Sequence, residues 1–541
     1  MGLSDAIIKK IPASSTENRF FPFSGNGKLG FGLDKDKKQF YLKTDTHGYI
    51  QSFAPTLDLK IQESHIVEEK AVIMNLKAGL VILATVFDVE QSCVLVEETF
   101  FAHRLHSGLF QHVIKVKNSG PFSIDLELST ADVKKLKKIE KIHTAHHTNG
   151  HLATISGEIK TKRNKENKEG LVKFTSVLSS VDNRVLKVPQ KGEKSMKLLS
   201  YTDFIFLEQE PQEVVPPTNK TRTGRDVKDT DIIALTEKSN TMLKSLSKDH
   251  VQDQHVKAWS EIWTTGISIS SDSDPNSPSP LHVNLTQYYL YTTHSGNSTK
   301  KSTKSVNCYT GPPTLHYPKH WVVPTSLSSL SSLMQLWEDF FTRNNCPISS
   351  LTAFSLPQLM VLTIVGLHYH NKQLQMALNP LNLRTNISLR HVSLDYFHSQ
   401  DQFDLKVLVT NIKTEPYQIY VMNNGKHSPK IFGCGSACEH VVELGSSRLK
   451  FVIHPTDPVT PLFYISSNRT LLEKIHHSDF MRKAIHSAKE IKATAHHHQL
   501  SPKFWISVVV LIVSFHVIVL KMIYNECRKG RGTVPRRGPY S

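Results

Sequence analysis

Short runs of alternating apolar and polar residues occupy most of the first two hundred positions of this chain. The clearest runs, which are rich in Val, Ile and Phe and end near Gly, Pro, Asn or Ser, span 79–89, 92–102, 111–118 and 122–130. This pattern is typical of β-strands that bury one face against a second sheet. We therefore expect an N-terminal β-sandwich over 19–215, after a flexible N-terminus at 1–18.

Helical periodicity replaces this alternation in the middle of the chain. Trp259 and Trp263 lie four residues apart on one face of a helix, which we expect within a linker over 216–270, and as packing residues rather than ligand-stacking ones. A short helical region is expected over 271–366, where the segment 326–341 predicts a helix with one core-facing side. The side chains on that face are Leu330, Leu333, Met334, Trp337 and Phe341.

Strand-like segments return after Gly366. Period-2 alternation is found over 373–378, 387–397, 403–411, 416–422, 448–454 and 461–467. We expect a C-terminal β-sheet domain over 367–467, followed by a helix and juxtamembrane stalk over 468–503. The fold class predicted from these patterns is mainly β with helices (α+β).

One long apolar stretch stands near the C-terminus. Phe504–Leu520 carries no formal charge, and a bilayer core about 30 Å thick needs about 20 such residues. A buried core element would rarely run so long without a charge. We therefore expect a single transmembrane helix over 504–524 in contact with membrane lipid, and a basic cytosolic tail over 525–541. His516 is expected to face a partner helix or water rather than to mark a proton path.

The part of the chain before the predicted membrane helix is called the ectodomain here. The charges beside the helix say little about which side of the membrane the ectodomain occupies. Five basic residues follow Tyr524 and three precede Phe504, so the positive-inside comparison only weakly favours a cytosolic tail. The first 20 residues lack the apolar core of a signal peptide. Taken by itself, that observation describes a tail-anchored cytosolic protein.

Two further features favour a lumenal ectodomain. N-glycosylation sequons occur at Asn219, Asn284, Asn297, Asn386 and Asn468, although a chain of this length collects about as many by chance. Five cysteines precede the membrane, and two disulfides, Cys308 with Cys346 and Cys434 with Cys438, would leave Cys93 spare. Zinc is the competing interpretation, but neither a second C-x-x-C nor a correctly spaced His pair is present.

Cys527 lies just beyond the predicted membrane exit. It is a candidate for palmitoylation, or an interfacial residue without modification.

Composition limits the classes of ligand. The net charge is +17, but the densest basic runs lack interleaved aromatic residues, which favours a solvated face and no nucleic-acid partner. The 29 histidines lack acidic or cysteine partners at metal-binding spacing. The Walker A loop, the G-x-S-x-G elbow, the H-E-x-x-H motif and the Rossmann fingerprint are also missing from the sequence. We therefore predict neither a cofactor nor a metal site.

Three segments carry a resemblance to a known family: LHVNLTQYYLY, VTPLFYISSNRTLLEKI and FHVIVLKMIYNEC. Together with Cys308, Cys346, Cys434 and Cys438, they resemble an uncharacterised animal family of single-pass type I membrane proteins that carries a domain of unknown function. The resemblance implies an N-terminal hydrophobic signal segment. We therefore expect a truncated or misassigned start rather than a different topology.

A more distant resemblance concerns architecture. The order of SGNGKLGFGL, AGLVILATVFDVEQSCVLVEETFFAHR, the Trp259/Trp263 linker and GLHYHNKQLQM is similar to the scaffold of the maltose and kojibiose phosphorylases. The resemblance implies an N-terminal β-super-sandwich, a linker, an α/α barrel and a C-terminal sheet. Only 86 residues separate Leu281 from Gly366, counted inclusively, too few for twelve barrel helices. They contain two carboxylates, Glu338 and Asp339, which are about 100° apart on a helix.

We therefore expect the helical region to be the remnant of a barrel and the protein to be a pseudoenzyme. The function expected is that of a non-catalytic type I membrane glycoprotein, in the endoplasmic reticulum or later secretory pathway, whose lumenal or extracellular ectodomain binds a protein or glycan partner. One alternative is a carbohydrate-active enzyme with a different pocket, which would need two carboxylates facing each other across a cleft. Another is a lectin-like carbohydrate-binding module, which would need exposed aromatic platforms.

Overall fold

The structure is a computed structural model, and most of the chain is described in it. The described residues are 6–11, 20–34, 37–44, 48–61, 67–89, 92–130, 139–146, 152–162, 169–179, 185–208, 230–246, 250–270, 277–295, 311–315, 317–344, 346, 355–370, 373–377, 386–393, 402–410, 417–423, 430–435, 438–453, 461, 463–478, 481 and 502–529.

Sixteen described strands build the N-terminal part, and every neighbouring pair is antiparallel. In chain order they are β1 Ala6–Ile11, β2 Phe23–Gly25, β3 Leu29–Asp34, β4 Lys37–Thr44, β5 Gly48–Ser52, β6 Leu57–Ile61, β7 Val67–Asn75, β8 Leu80–Val89, β9 Ser92–Ala102, β10 Leu109–Asn118, β11 Ile124–Thr130, β12 Ile139–His146, β13 Leu152–Lys162, β14 Glu169–Ser179, β15 Val185–Val188 and β16 Glu193–Glu208. The four strands expected from the clearest apolar runs correspond to β8, β9, β10 and β11.

These strands form three sheets. A nine-stranded sheet has the order β1-β7-β8-β9-β10-β16-β14-β13-β12, a four-stranded sheet the order β2-β3-β4-β5, and a three-stranded sheet the order β15-β11-β6. Aromatic rings join the first two sheets, because Phe31 of β3 stacks on Phe100 of β9 with their ring centroids 4.3 Å apart. Phe110 of β10 packs against the same Phe31. This contact gives the sandwich its core.

In the described part of the chain that comes next there are five helices and a 3-10 helix. They are α1 Thr230–Ser245, α2 Val251–Thr264, α3 Pro280–Thr293, the 3-10 helix Pro318–Trp321, α4 Leu327–Arg343 and α5 Ser355–Ile364. The core-facing side predicted for 326–341 is confirmed, since the five expected apolar side chains are the buried residues of α4. Trp259 and Trp263 of α2 are likewise packing residues in the core.

The C-terminal strands that the structure describes, together with one strand from before the helical region, form two separate five-stranded sheets. The strands are β17 Gly266–Ile269, β18 Leu367–His370, β19 Gln373–Met376, β20 Ile387–Ser393, β21 Gln402–Thr410, β22 Tyr417–Asn423, β23 Phe432–Gly435, β24 Val442–Glu443, β25 Leu449–Ile453 and β26 Phe463–Ser466. The sheet orders are β17-β20-β21-β22-β25 and β18-β19-β26-β23-β24. β17 lies in the stretch expected to be a linker, yet it pairs with β20 beyond the whole helical region.

The strands described above belong to a first compact unit, and a second unit contains the C-terminal helix α7, Pro502–Lys529. A short helix, α6, spans Arg469–His476, and the Asn468 side chain accepts a hydrogen bond from the N–H of Leu471 at its start. Within α7, Phe504–Glu526 is long and apolar enough to cross a bilayer, and none of its most apolar window is buried. This helix fits a membrane anchor.

Candidate functional site

Five polar side chains meet around the C-terminal end of α3, and we call them the α3-end cluster. They are Lys43, Tyr49, Arg104, His294 and Glu338. Lys43 and Tyr49 come from β4 and β5, and Arg104 follows β9 by two residues. His294 is the residue after α3, and Glu338 lies on α4. The cluster therefore joins the sandwich to the helical region.

Arg104 is the most buried cation of the cluster, with 2% of its surface exposed. Its Nη1 donates to the carbonyl oxygen of Tyr291 at 2.8 Å, and its Nη2 to that of His294 at 2.9 Å. The guanidinium also lies over the ring of Trp259, 5.5 Å from its centroid. Carbonyl groups at a helix C-terminus lack partners within the helix and carry partial negative charge, so this arginine caps α3.

Two neighbouring donors complete the cap. The Nζ of Lys43 donates to the carbonyl oxygen of Thr293 at 2.6 Å, and the N–H of Gly27 donates to that of Thr292 at 3.0 Å. Gly27 has φ +86°, and a Cβ there would lie 2.2 Å from the backbone N of Ser295. The close approach of the β2–β3 turn to α3 therefore requires glycine at this position.

Glu338 faces this cap from α4. Its Oε1 lies 3.9 Å from the Nζ of Lys43 and 3.5 Å from the Nε2 of His294. The Nδ1 of His294 is 2.8 Å from the carbonyl oxygen of Leu290, which can only accept, so the ring proton is on Nδ1. Burial, assisted by the charge of Lys43, lowers the pKa of His294 to about 3. The Nε2 of a neutral His294 thus directs a lone pair at the Glu338 carboxylate. Because both groups are hydrogen-bond acceptors, a hydrogen bond between them requires one extra proton.

The chemistry open to this arrangement is limited. Asp339, the second carboxylate of the helical region, is exposed on another face of α4, whereas Glu338 turns inward. Glycoside hydrolysis needs two carboxyl groups that face one substrate. Because the carboxylates of 281–366 diverge, the cluster is suited to holding α3 and α4 against the sandwich rather than to acid–base catalysis.

A second buried ion pair lies inside the sandwich. Glu98 accepts from the Nζ of Lys38 at 2.7 Å and from the Nε2 of His112 at 2.9 Å. Burial alone would raise the pKa of Glu98, but the hydrogen bond from His112 and the charge of Lys38 outweigh it and lower the pKa to about 2. The Nδ1 of His112 accepts from the N–H of Leu57, so each polar atom of the imidazole has a partner. This group ties β4, β9 and β10 together.

An open groove of about 590 Å³ runs along α2 and is lined by residues of that helix. Its carboxylates, Asp253 and Glu261, lie eight residues apart on the same helix, which corresponds to about 12 Å along the axis. Glycosidase carboxyl pairs are about 5 to 9.5 Å apart. The groove does not provide such a pair.

The sequons differ in accessibility. Asn386 and Asn468 are exposed. The Oδ1 of Asn468 accepts from the hydroxyl of Thr470 at 2.7 Å and from the N–H of Leu471, and the Nδ2 of Asn468 takes no part in these two hydrogen bonds. Asn284 is half-buried on α3, and the Thr286 of its sequon is fully buried. Asn219 and Asn297 lie outside the described residues.

The cysteines fall into three groups. Cys434 and Cys438 form a disulfide with their Cα atoms 4.9 Å apart, within the ordinary range. Cys346 is buried and disulfide-bonded; its partner and the predicted partner Cys308 lie outside the described residues. Cys93 is a free, exposed thiol.

Cys527 belongs to α7, but its side chain is not among the parts of the chain that the structure describes. Among the described residues, no group of three or more His, Cys, Asp or Glu side chains is placed to hold a metal ion.

Comparison with known protein families gives a match over almost the whole chain. A family model described as "Uncharacterized conserved protein (DUF2152)" matches residues 8–540. The chain belongs to this family. Two relatives, each named "Uncharacterized protein KIAA2013 homolog", come from Xenopus tropicalis and Xenopus laevis. Each is 25% identical over 96% of this chain, which covers 85% and 86% of their lengths.

Two solved structures resemble this family member weakly. A putative kojibiose phosphorylase from the human microbiome has a TM-score of 0.36 and 11% identity over 54% of this chain and 42% of its own. A bacterial glucoamylase complexed with acarbose has a TM-score of 0.18 and 9% identity over 66% of this chain and 59% of its own. In both comparisons, less than two thirds of the solved chain is covered.

The α3-end cluster has no counterpart among the residues that sequence reasoning singled out, apart from Glu338. Arg104 is 190 positions from His294, its hydrogen-bond partner. Within one sequence, the available signal is a charged residue two positions after the apolar strand segment TFFA, and that signal does not identify a partner.

Proposed function

We propose that this protein is a single-pass membrane glycoprotein of the secretory pathway, with a lumenal or extracellular β-rich ectodomain that binds a partner rather than catalysing a reaction. The observation that carries the proposal is the exposed apolar helix at Phe504–Glu526, which follows in the chain a β-rich unit that contains disulfides. A helix of this length and composition matches the thickness of a bilayer core.

The disulfides support the lumenal side. Cys434 and Cys438 are both buried and bonded, and Cys346 is bonded as well. Disulfides persist in oxidising compartments and are rare where glutathione keeps thiols reduced. The exposed sequons Asn386 and Asn468 would be within reach of the lumenal glycosylation machinery.

The α3-end cluster supports binding rather than catalysis. Its inward carboxylate, Glu338, lies beside Lys43 and His294, and the only other carboxylate of 281–366 points elsewhere. Among the described residues before α7, the exposed large aromatic side chains are Phe122 and Tyr317. Tyr317 packs against the ring of His320 with a centroid separation of 5.5 Å, and we infer a protein partner rather than a lectin-like sugar platform.

The test is membrane topology. The full chain with its complete native N-terminus and a C-terminal tag is expressed in cells, and protease is added to intact microsomes. We expect the ectodomain to be protected and the tag to be removed. Digestion with an N-glycan-removing enzyme should increase electrophoretic mobility, whereas Asn382→Gln, outside any sequon, should not change the glycan shift.

Digestion of the ectodomain from the outside, with no glycan shift, would instead describe a cytosol-facing tail-anchored protein. Glycoside hydrolase or phosphorylase activity of the purified protein that is lost in Glu338→Gln would contradict the binding role.

A further inference from the structure

His516 occupies the middle of the apolar helix. It lies twelve residues after Phe504 and ten before Glu526, the bounds of the candidate membrane span. At 1.5 Å per residue, the imidazole is about 18 Å and 15 Å from these ends, near the centre of a core about 30 Å thick. This inference rests on the proposed membrane anchoring of α7.

The hydrogen bonding of this imidazole is fixed by one contact. The Nδ1 of His516 is 2.8 Å from the carbonyl oxygen of Ile512, and a carbonyl oxygen can only accept. Nδ1 therefore carries the proton of the neutral ring, and Nε2 presents a lone pair on an exposed side chain. Lipid chains contain no donor for that lone pair, and unsatisfied polar groups are costly in hydrocarbon.

We propose that this face of α7 binds a transmembrane helix of another protein, which presents a hydroxyl or other hydrogen-bond donor to the Nε2 of His516 at the bilayer centre. Successive helical residues are rotated by about 100°, so four aliphatic residues lie within about 40° of His516. They are Val509, Ile512, Leu520 and Ile523, which with His516 form the His516 face.

A second copy of this chain is the wrong partner for the His516 face. A parallel two-fold dimer brings the same face of both helices together. Each copy would then present an acceptor, and the four companions of His516 are aliphatic. The hydroxyl donors Ser507 and Ser514 lie about 180° and 160° away from His516 around the helix. The other side-chain donors nearest this face, Tyr524 and Trp505, lie about 12 Å and 16 Å from His516 along the axis, so in a parallel dimer they are at a different depth from the partner's His516.

Photo-crosslinking in membranes tests this proposal. A photoreactive amino acid replaces Leu520 on the His516 face or, as the matched control, Ile518, which is rotated about 160° from His516. The full chain is co-expressed in two differently tagged forms and irradiated in intact membranes. We expect an adduct from position 520 that contains only one tag, and about one third of that yield or less from position 518.

Two variants test the role of the acceptor. His516→Leu removes Nε2 and should reduce the position-520 adduct about three-fold or more, whereas His516→Gln keeps an acceptor oxygen and should retain it. An adduct containing both tags, equal adducts from both positions, no adduct, or an adduct unaffected by His516→Leu would each overturn the proposal.

Extraction at high pH separates this proposal from the one on which it rests. If the wild-type chain is released from membranes, membrane anchoring and this inference both fail. If the wild type and both His516 variants stay in the membrane but the adduct does not follow the acceptor, only this inference fails.

Discussion

Arg104 is the residue on which the α3-end cluster depends most. Its guanidinium donates to two carbonyl groups at the end of α3, and it is almost completely buried. Arg104→Met keeps much of the side-chain volume but removes both charged donors. We expect the free energy of unfolding to fall by about 3 kcal/mol, measured by urea denaturation of the detergent-solubilised protein.

The matched control is Arg448→Met, because Arg448 is exposed. Its effect should stay within about 0.5 kcal/mol, as for most surface substitutions. If both variants lost the same free energy of unfolding, the loss would come from removing a positive charge and not from removing the cap of α3.

The buried histidines make stability depend on pH. His255 is fully buried and accepts from the N–H of Arg104 at 3.1 Å. Burial, together with the nearby His103, lowers the pKa of His255 to about 3, whereas a histidine in the unfolded chain titrates near 6.5. Between these values only the unfolded state binds the proton. The contribution of His255 to the free energy of unfolding is therefore fully present above about pH 6.5 and is lost as the pH falls towards 3.

His255→Gln keeps an acceptor but removes one titrating group. A plot of the free energy of unfolding against pH, between pH 6 and 4, should become shallower by about one proton, or about 1.4 kcal/mol per pH unit. His440→Gln, at an exposed position, should leave the slope of the wild type. An unchanged slope in His255→Gln would contradict the account.

Among the elements, α4 depends on Trp337. The indole Nε1 donates to the carbonyl oxygen of His320 at 2.9 Å, and the ring packs edge-on against Trp321 with a centroid separation of 5.3 Å. Trp337→Ala leaves a cavity and an unpaired carbonyl, so we expect a loss of about 3–5 kcal/mol in the free energy of unfolding. Gln335→Ala, on an exposed position of the same helix, is the control in the same denaturation measurement. If both variants had similar free energies of unfolding, the packing of Trp337 in α4 would contribute little to stability.

Sequence patterns predicted elements whose signal is local. The 3.6-residue period of 326–341 is enough to define the buried face of α4, because neighbouring turns of one helix create it. The strands β8 to β11 were predicted because the alternation of apolar and polar residues in a strand is also a local signal. β17 was not, because the four residues GISI show too short an alternation and their partner strand lies beyond the helical region.

At the scale of the whole molecule, the candidate site was beyond sequence reasoning. Its side chains come from β4, β5, the residue pair after β9, the end of α3 and the middle of α4. No fixed spacing links Lys43, Arg104 and Glu338, so only the tertiary fold brings them together. The division into β-rich N- and C-terminal parts with helices between them, by contrast, follows from where the period of the pattern changes.

The exposure of the sequons predicts which ones carry glycans in the proposed topology. Asn386→Gln and Asn468→Gln should each remove one glycan's mobility shift, because both side chains are exposed. Asn284→Gln should remove none, since Asn284 is half-buried and its Thr286 is fully buried. The measurement is electrophoresis of the variants with and without glycan removal. A shift lost only in Asn284→Gln would be incompatible with the packing of α3.

The pairing of β17 with β20 also affects how the protein is made. Ile269 pairs with Ile387, 118 residues later in the chain, and both are buried in the finished sheet. At about 5–20 residues per second, the ribosome needs roughly 6 to 24 seconds to synthesise that interval. During this time the newly made β17 has an open hydrogen-bonding edge and two uncovered isoleucines, which is the kind of surface that chaperones protect. Substitutions in Gly266–Ile269 should therefore lower the yield of the protein through losses during biogenesis as well as through the stability of the final fold.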